Sequence, residues 1–158
     1  MRFAIIYYSY SGNTKKVAQE LKKFLQQQGS VELIELKPKD ESNSFLGQCK
    51  RAVFKKEAQI EDAQFDLKGY DIICLGTPVW AFGPAPAMNA YVKKCLGAEN
   101  KTVATFTTYG SGSGNGRCLR IIQEAMRKKG ATKFCSFSIQ QFKVNNKEFI
   151  LDQISQVL

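Results

Sequence analysis

Residues 9–14 carry the groups in this sequence that are best suited to bind an anion. The segment reads Ser9, Tyr10, Ser11, Gly12, Asn13 and Thr14. It follows an apolar run and leads into a helical pattern, and the first turn of a helix offers unpaired backbone N–H groups and a partial positive charge. The three hydroxyls and the amides of residues 11–14 therefore predict a phosphate site without a cation. A single hydroxyl that caps the helix is the simpler alternative.

Two later segments predict the rest of a binding site. Residues 76–84 contain Trp80, the only tryptophan, and Phe82 among Gly and Pro, and we expect an aromatic wall for a planar ring. Residues 107–116 are rich in glycine, whose backbone amides can approach the edge of a heterocycle. The alternatives are a hydrophobic plug over the sheet edge and an ordinary surface loop. The candidate residues are Thr77, Pro78, Val79, Trp80, Ala81, Phe82 and Gly83 in the first segment, and Thr107, Thr108, Tyr109, Gly110, Ser111 and Gly112 in the second.

Apolar runs alternate with amphipathic helical patterns along the chain. Strands are expected at residues 3–8, 31–36, 70–75, 101–108 and 132–139. Helices are expected at residues 14–28, within 42–53, at 85–96, before Gly130 and after Asn145 or Asn146. The alternation predicts an α/β fold, a three-layer doubly wound five-stranded parallel sheet in a single domain of residues 1–158. Ligands of such sheets bind at the carboxyl ends of the strands, so the three segments should converge.

Composition narrows the function classes. No apolar run approaches the roughly 18 residues that span a bilayer, and no signal-peptide pattern is present, so we expect a cytoplasmic protein without a membrane partner. The chain has no histidine and five dispersed cysteines, which predicts reduced thiols and no metal site. Cys118, near a predicted helix start, is expected to be a packed thiol without a redox role.

The net charge is +9, from 23 basic and 14 acidic residues. The lysines come mostly in pairs on the solvent side of helical patterns, without interleaved aromatic residues. This arrangement predicts a solvated basic surface, not a nucleic-acid site. A surface of this sign attracts acidic proteins or anionic cosubstrates.

The three segments resemble the FMN-binding loops of flavodoxins. Residues 9–14 are similar to the flavodoxin phosphate loop, Thr/Ser-x-Thr/Ser-Gly-Asn-Thr, and the other two to the loops that flank the flavin ring. The resemblance implies non-covalent FMN and strand order 2-1-3-4-5. It also implies ring contacts from Trp80 and Tyr109, with Thr77, Thr107 and Gly110 as hydrogen-bonding candidates for the ring's polar edge. Receiver domains and low-molecular-weight phosphatases share the fold, but their acidic pair and Cys-x₅-Arg motif are missing here.

Two features depart from the flavodoxin pattern. Carriers of this family are typically acidic, and many have Gly where this chain has Ala81, which we expect to disfavour a positive-φ turn beside the flavin. Electron transfer to redox partner proteins is the favoured hypothesis. An NAD(P)H-dependent quinone or flavin reductase is the alternative, and a non-catalytic binding module is the third. The oligomeric state stays open.

Overall fold

The computed structural model of the protein describes residues 1–38, 60 and 63–158. The strands are β1 (Arg2–Tyr7), β2 (Ser30–Glu35), β3 (Ile72–Trp80), β4 (Gly83–Pro84), β5 (Thr102–Tyr109) and β6 (Lys133–Gln140). The helices are α1 (Asn13–Leu25), α2 (Pro86–Lys94), α3 (Asn115–Lys128) and α4 (Lys147–Ser155), with a 3₁₀ turn at Gln141–Lys143. The helix expected within residues 42–53 lies outside the described residues.

Five strands form a parallel sheet in the order β2-β1-β3-β5-β6. Counted without the short β4, this is the predicted order 2-1-3-4-5, and the predicted α/β fold is confirmed. The residues of β1 from Phe3 onward are buried, as expected of an inner strand covered on both faces. The register places Tyr7 beside Glu35 on β2 and beside Gly76 on β3.

Helices cover both faces of the sheet. On one face, α1 and α4 contribute the buried side chains Val17, Leu21, Ile150 and Ile154 to one apolar cluster. On the other face, α2 and α3 contribute Met88, Tyr91, Ile122 and Met126 to a second cluster. Right-handed crossovers between parallel strands produce this arrangement. In the described part of the chain, no helix is long and apolar enough to cross a bilayer.

Strand β3 is longer than the sequence predicts. The expected end at Leu75 is wrong, because Gly76, Thr77 and Pro78 continue to pair with β5. The pairing of β3 with β1 ends at Gly76, so the rest of the strand is open on one side. Pro78 lacks an N–H group, and an open strand side tolerates such a residue. The longer strand carries its last residue, Trp80, to the edge where the predicted site lies.

A tight hairpin follows β3. Strand β4 runs antiparallel to it, with Val79 paired to Pro84 and Trp80 paired to Gly83. The two residues between them, Ala81 and Phe82, have φ angles of 46° and 62°. Positive φ at both central residues is typical of a type I′ turn, which suits the twist of a hairpin. The chain then enters α2, so the hairpin projects from the carboxyl edge of the sheet.

Candidate binding cleft at the carboxyl edge of the sheet

The three predicted segments meet at one cleft. Strands β1, β3 and β5 end beside one another, and their following residues enclose a volume of about 720 Å³. Pockets for small molecules span roughly 300–1,000 Å³. The lining residues are Tyr10, Ser11, Asn13, Pro78, Val79, Trp80, Ala81, Phe82, Thr108, Tyr109, Gly110, Ser111, Ser113 and Gln141. No Lys, Arg, Asp or Glu stands among these described lining residues, so the cleft itself is neutral.

The start of α1 forms one end of the cleft. Gly12 is the N-cap residue with φ 86°, and no side chain caps it. A side chain at this position would be strained, whereas glycine adopts such a φ readily. The Ser9 hydroxyl accepts a hydrogen bond of 3.2 Å from the Lys15 amide, and the Lys16 amide bonds to the Gly12 carbonyl. The amides of the first residues of α1 thus point out of the helix toward the segment that precedes it.

The Thr14 hydroxyl is directed into the protein. It lies 2.8 Å from the Thr108 hydroxyl on β5, and Thr14 is only 1% exposed. Thr14 is predicted to donate to a ligand phosphate, but it does not line the cleft. Its hydroxyl instead joins the first segment to the third.

Lys15, the cation nearest to this end of the cleft along the chain, is directed toward strand β2. Its Nζ lies 2.9 Å from Oε2 of Glu35, and both side chains are partly exposed. The strand register places Tyr7 on β1 beside Glu35. Burial and the Glu35 carboxylate raise the pKa of Tyr7 well above its usual range, so its hydroxyl stays protonated. The positive charge of Lys15 is therefore matched outside the cleft.

Aromatic side chains form the other part of the cleft. Trp80 is 6% exposed and packs edge-on against Tyr8 and Tyr10, with ring centroids 5.6 and 5.7 Å apart. Trp80 is the last residue of β3 and belongs to the core on the α2–α3 face, so it does not lie in a loop. Its ring nevertheless lines the cleft, and the two neighbouring rings fix its orientation.

The β3–β4 turn packs against the glycine segment. A Cβ atom at Gly114, which has φ 96°, would lie 2.9 Å from Cδ1 of Phe82 and 3.0 Å from its Cα. The close approach thus requires glycine. Phe82 is 55% exposed and presents its ring at the rim. Ala81 nevertheless adopts the positive φ that we expect such a residue to disfavour, because the two-residue hairpin imposes that conformation on it.

Several predicted residues lie beside the cleft without lining it. The Thr77 hydroxyl donates to the Pro78 carbonyl and accepts from the Ala85 amide. The Thr107 hydroxyl lies 3.0 Å from the Ser138 hydroxyl on β6. Both threonines are fully buried, so their hydroxyls stabilise the edge of the sheet. The predicted residues that are absent from the lining are Ser9, Gly12, Thr14, Thr77, Gly83, Thr107 and Gly112.

The sequence interpretation does not include two lining residues. Ser113 follows the predicted part of the glycine segment, and its amide donates a hydrogen bond to the Ser111 carbonyl. Gln141 comes from a fourth segment, directly after β6. A Cβ added at Gly110 would lie 3.5 Å from Nε2 of Gln141, which places that amide against the glycine segment. Its position at the end of the last parallel strand is the only signal that could have indicated it.

Cys118 lies in the first turn of α3 and is fully buried. Burial raises the pKa of its thiol to about 12, so the helix start does not produce a thiolate at neutral pH. The expectation of a packed thiol is confirmed.

The chain has been compared with known families and structures. The flavodoxin family model matches residues 2–133. A flavoprotein in complex with FMN from Lactobacillus acidophilus NCFM is 22% identical, with 93% of this chain and 98% of that chain covered and a TM-score of 0.65. A flavodoxin from the domain Archaea is 18% identical, with 99% of this chain and 98% of that chain covered and a TM-score of 0.57. No curated protein matches the chain.

A third similar structure is named for a different activity. An NADH:FMN oxidoreductase is 14% identical, with 98% of this chain and 84% of that chain covered and a TM-score of 0.65. At such identities the likeness concerns the fold, whereas the family model matches the sequence itself over most of its length. The chain belongs to the flavodoxin family.

Proposed function

We propose that this protein is an FMN-binding redox protein that transfers electrons through a non-covalently held FMN. One observation carries the proposal: a single neutral cleft joins a hydroxyl- and amide-rich helix start to an aromatic wall. FMN has a phosphate at one end and a planar polar ring at the other. Membership of the flavodoxin family and the FMN complex of the Lactobacillus relative support this cofactor.

The phosphate would bind at residues 9–14. The amides at the start of α1 and the hydroxyls of Ser9 and Ser11 supply hydrogen-bond donors, and the helix dipole favours an anion there. A Cβ at Gly12 would meet no other atom within 4 Å, so the approach to these amides is open. This donor set fits a phosphate ester that needs no bound cation.

The ring would lie against the aromatic part of the cleft. Trp80, Tyr109 and the exposed Phe82 are the proposed contacts, and the backbone of Gly110 and the amide of Gln141 would face the ring's polar edge. Stacking on such rings adds roughly 0.5–1.5 kcal/mol beyond the burial of apolar area. The proposed FMN-binding set is residues 9–14, 77–83 and 107–112.

FMN, when bound, supplies the electron-transfer chemistry, and the chain supplies position and environment. The aromatic side chains exclude water from the ring face. The described lining residues include no carboxylate, lysine or cysteine, so the chain's role in the cleft is binding and orientation. Electron transfer to a partner protein needs nothing more at this site.

A second candidate is an NAD(P)H-dependent FMN-containing reductase. The net charge of +9 suits an anionic dinucleotide. Arg117 and Arg120 are exposed in the first two turns of α3, the helix that follows the lining residue Ser113. The similar NADH:FMN oxidoreductase has the same fold. Since the fold serves both activities, kinetics must separate them.

The first experiment is titration of the apo-protein with FMN, followed by flavin fluorescence and the visible spectrum. We expect saturable binding with quenched fluorescence, because the ring is stacked on aromatic side chains. Tyr109→Leu should weaken binding roughly tenfold, since it removes one stacking face. Phe142→Leu is the matched control, because Phe142 is 69% exposed and does not line the cleft. Absence of any flavin binding would overturn the proposal and favour a non-catalytic module.

The second experiment distinguishes the carrier from the reductase. The FMN-loaded protein is reduced stepwise under anaerobic conditions and is separately mixed with NADH or NADPH. A carrier should accept electrons in two resolved one-electron steps and oxidise neither dinucleotide at a useful rate. Rapid oxidation of NAD(P)H with a single two-electron reduction step would instead establish the reductase.

A further inference from the structure

Glu35 holds Lys15, a lysine whose backbone lies beside the phosphate end of the cleft. The Lys15 amide bonds to the Ser9 hydroxyl at 3.2 Å, so its backbone belongs to the proposed phosphate segment. A lysine side chain is long and flexible and is a common phosphate ligand in other proteins. In this structure it extends away from the segment instead, to a carboxylate on β2 at 2.9 Å.

The residue that holds Lys15 belongs to the sheet. Glu35 is the last residue of β2 and lies beside Tyr7 in the parallel register of β1 and β2. Tyr7 is 2% exposed and belongs to the core on the α1–α4 face, so the backbone at this position is fixed. The Glu35 side chain is less exposed than that of Lys15, at 30% against 45%, so the longer lysine side chain reaches toward the strand.

We propose that Glu35 is a positioning residue that withholds Lys15 from the phosphate end of the cleft. Phosphate recognition is thereby left to hydroxyls and backbone amides. Glu35 would then set how strongly the protein prefers FMN to riboflavin, which has the same ring and no phosphate. This inference rests on the FMN-binding function proposed above.

The test measures dissociation constants for FMN and for riboflavin in low salt. In Glu35→Gln the side chain keeps its size and remains a hydrogen-bond acceptor, but it no longer neutralises Lys15. We expect FMN to bind roughly fivefold more tightly, near the upper end of what a partly exposed ion pair contributes. The riboflavin constant should change less than twofold. The gain should vanish at 1 M salt, where the Debye length is about 3 Å.

The chain offers a closely matched control in Glu32→Gln. Glu32 also lies on β2, and its carboxylate accepts a hydrogen bond from Tyr70. It stands three residues earlier, so its side chain lies on the other face of the sheet, and it forms no ion pair with Lys15. The variant removes the same charge from the same strand. We expect it to leave both dissociation constants within twofold of wild type.

The double variant Lys15→Met/Glu35→Gln should return the FMN-to-riboflavin ratio to the wild-type value. A gain that persists in it would overturn the inference, because the gain would then come from lost repulsion by Glu35. An unchanged ratio in Glu35→Gln would also overturn it, with FMN binding itself intact. Wild type that binds neither flavin would overturn both this inference and the proposed function.

A single variant of Lys15 keeps the inference falsifiable if the Glu35 variant does not fold. With Lys15 withheld, Lys15→Met should lower the FMN-to-riboflavin ratio less than about threefold at low salt, since no bond to the phosphate is lost. A larger loss would show that Lys15 already binds the phosphate and would overturn the inference.

Discussion

At the scale of the residue, Gly76 shows how closely two strands approach below the cleft. A Cβ atom there would lie 2.1 Å from Cζ of Phe106 on β5. Phe106 is fully buried and stacks on Phe137 with a centroid distance of 5.5 Å. The ring therefore has no space into which it can withdraw. The glycine is required by packing and not by a turn, contrary to the prediction that the strand breaks there.

We expect Gly76→Ala to lower the free energy of unfolding by about 1–3 kcal/mol, the usual cost of overpacking a core. Gly116→Ala is the control, because Gly116 lies in α3 and a Cβ there would meet nothing within 4 Å. The free energy of unfolding of that variant should rise by up to about 1 kcal/mol, which is the difference in helix propensity between alanine and glycine. Urea unfolding of the apo-protein measures both. Equal effects of the two substitutions would contradict this account of Gly76.

The hydrogen-bond partners of individual hydroxyls cannot be predicted from the sequence. The residue types of the three segments are enough to predict where the cleft lies, because parallel strands end at one edge. The partners of Thr77 and Thr107 depend on Ala85 and Ser138, which the tertiary structure brings close. A motif specifies that a hydroxyl is present and leaves its direction open. No sequence motif marks Gln141, which lines the cleft because it directly follows β6.

At the scale of the element, the β3–β4 hairpin carries backbone strain at the rim of the cleft. Neither Ala81 nor Phe82 is a residue that favours positive φ. An L-residue in the left-handed region costs roughly 1–2 kcal/mol. Trp80 and Gly83 are paired on either side of the turn, and their pairing holds the strained residues in place.

We expect Ala81→Gly to raise the free energy of unfolding of the apo-protein by about 0.5–1 kcal/mol. Relief of the strain should exceed the entropy that glycine adds to the unfolded chain. Ala125→Gly in α3 makes the same substitution at an ordinary helical position. It should lower the free energy of unfolding by about 1 kcal/mol. The two urea midpoints should therefore shift in opposite directions. A destabilised Ala81→Gly variant would show that the turn is not strained.

The same hairpin explains the main error in the predicted elements. Gly76, Thr77 and Pro78 are local turn signals, yet pairing with β5 outweighs them. Strand β4 has two residues, and its turn lacks the Asn-Gly or Gly-Gly pair that usually marks a hairpin. The longer elements with clear periodicity, such as β1 and α1, agree with their predicted positions to within a few residues.

At the scale of the whole molecule, the neutral cleft is set in a strongly basic protein. Flavodoxin carriers are typically acidic, whereas this chain has a net charge of +9. We therefore propose that its electron acceptors or donors are anionic, either acidic proteins or dinucleotides. Arg117 and Arg120 are exposed cations in the first two turns of the helix that begins at the glycine segment.

We expect Arg117→Glu/Arg120→Glu to slow electron transfer from the reduced protein to ferricyanide several-fold at low salt, because attraction of the anion is lost. Lys94→Glu/Lys128→Glu changes the charge equally at the far ends of α2 and α3. It should slow the reaction much less. Stopped-flow rates of the two double variants should converge as the salt concentration rises, because salt screens the charges. Equal slowing by both pairs would mean that net charge alone controls the reaction.

The bond between the Thr14 and Thr108 hydroxyls has a consequence for how quickly a ligand is taken up. It joins side chains 94 residues apart in the chain and fixes the phosphate segment against the strand that leads to the glycine segment. Two walls of the cleft thus hold their relative positions through the fold itself. Association then costs little ordering entropy, so the cofactor should bind to a site that is already formed. Its residence time should depend on the contacts that it makes in the cleft.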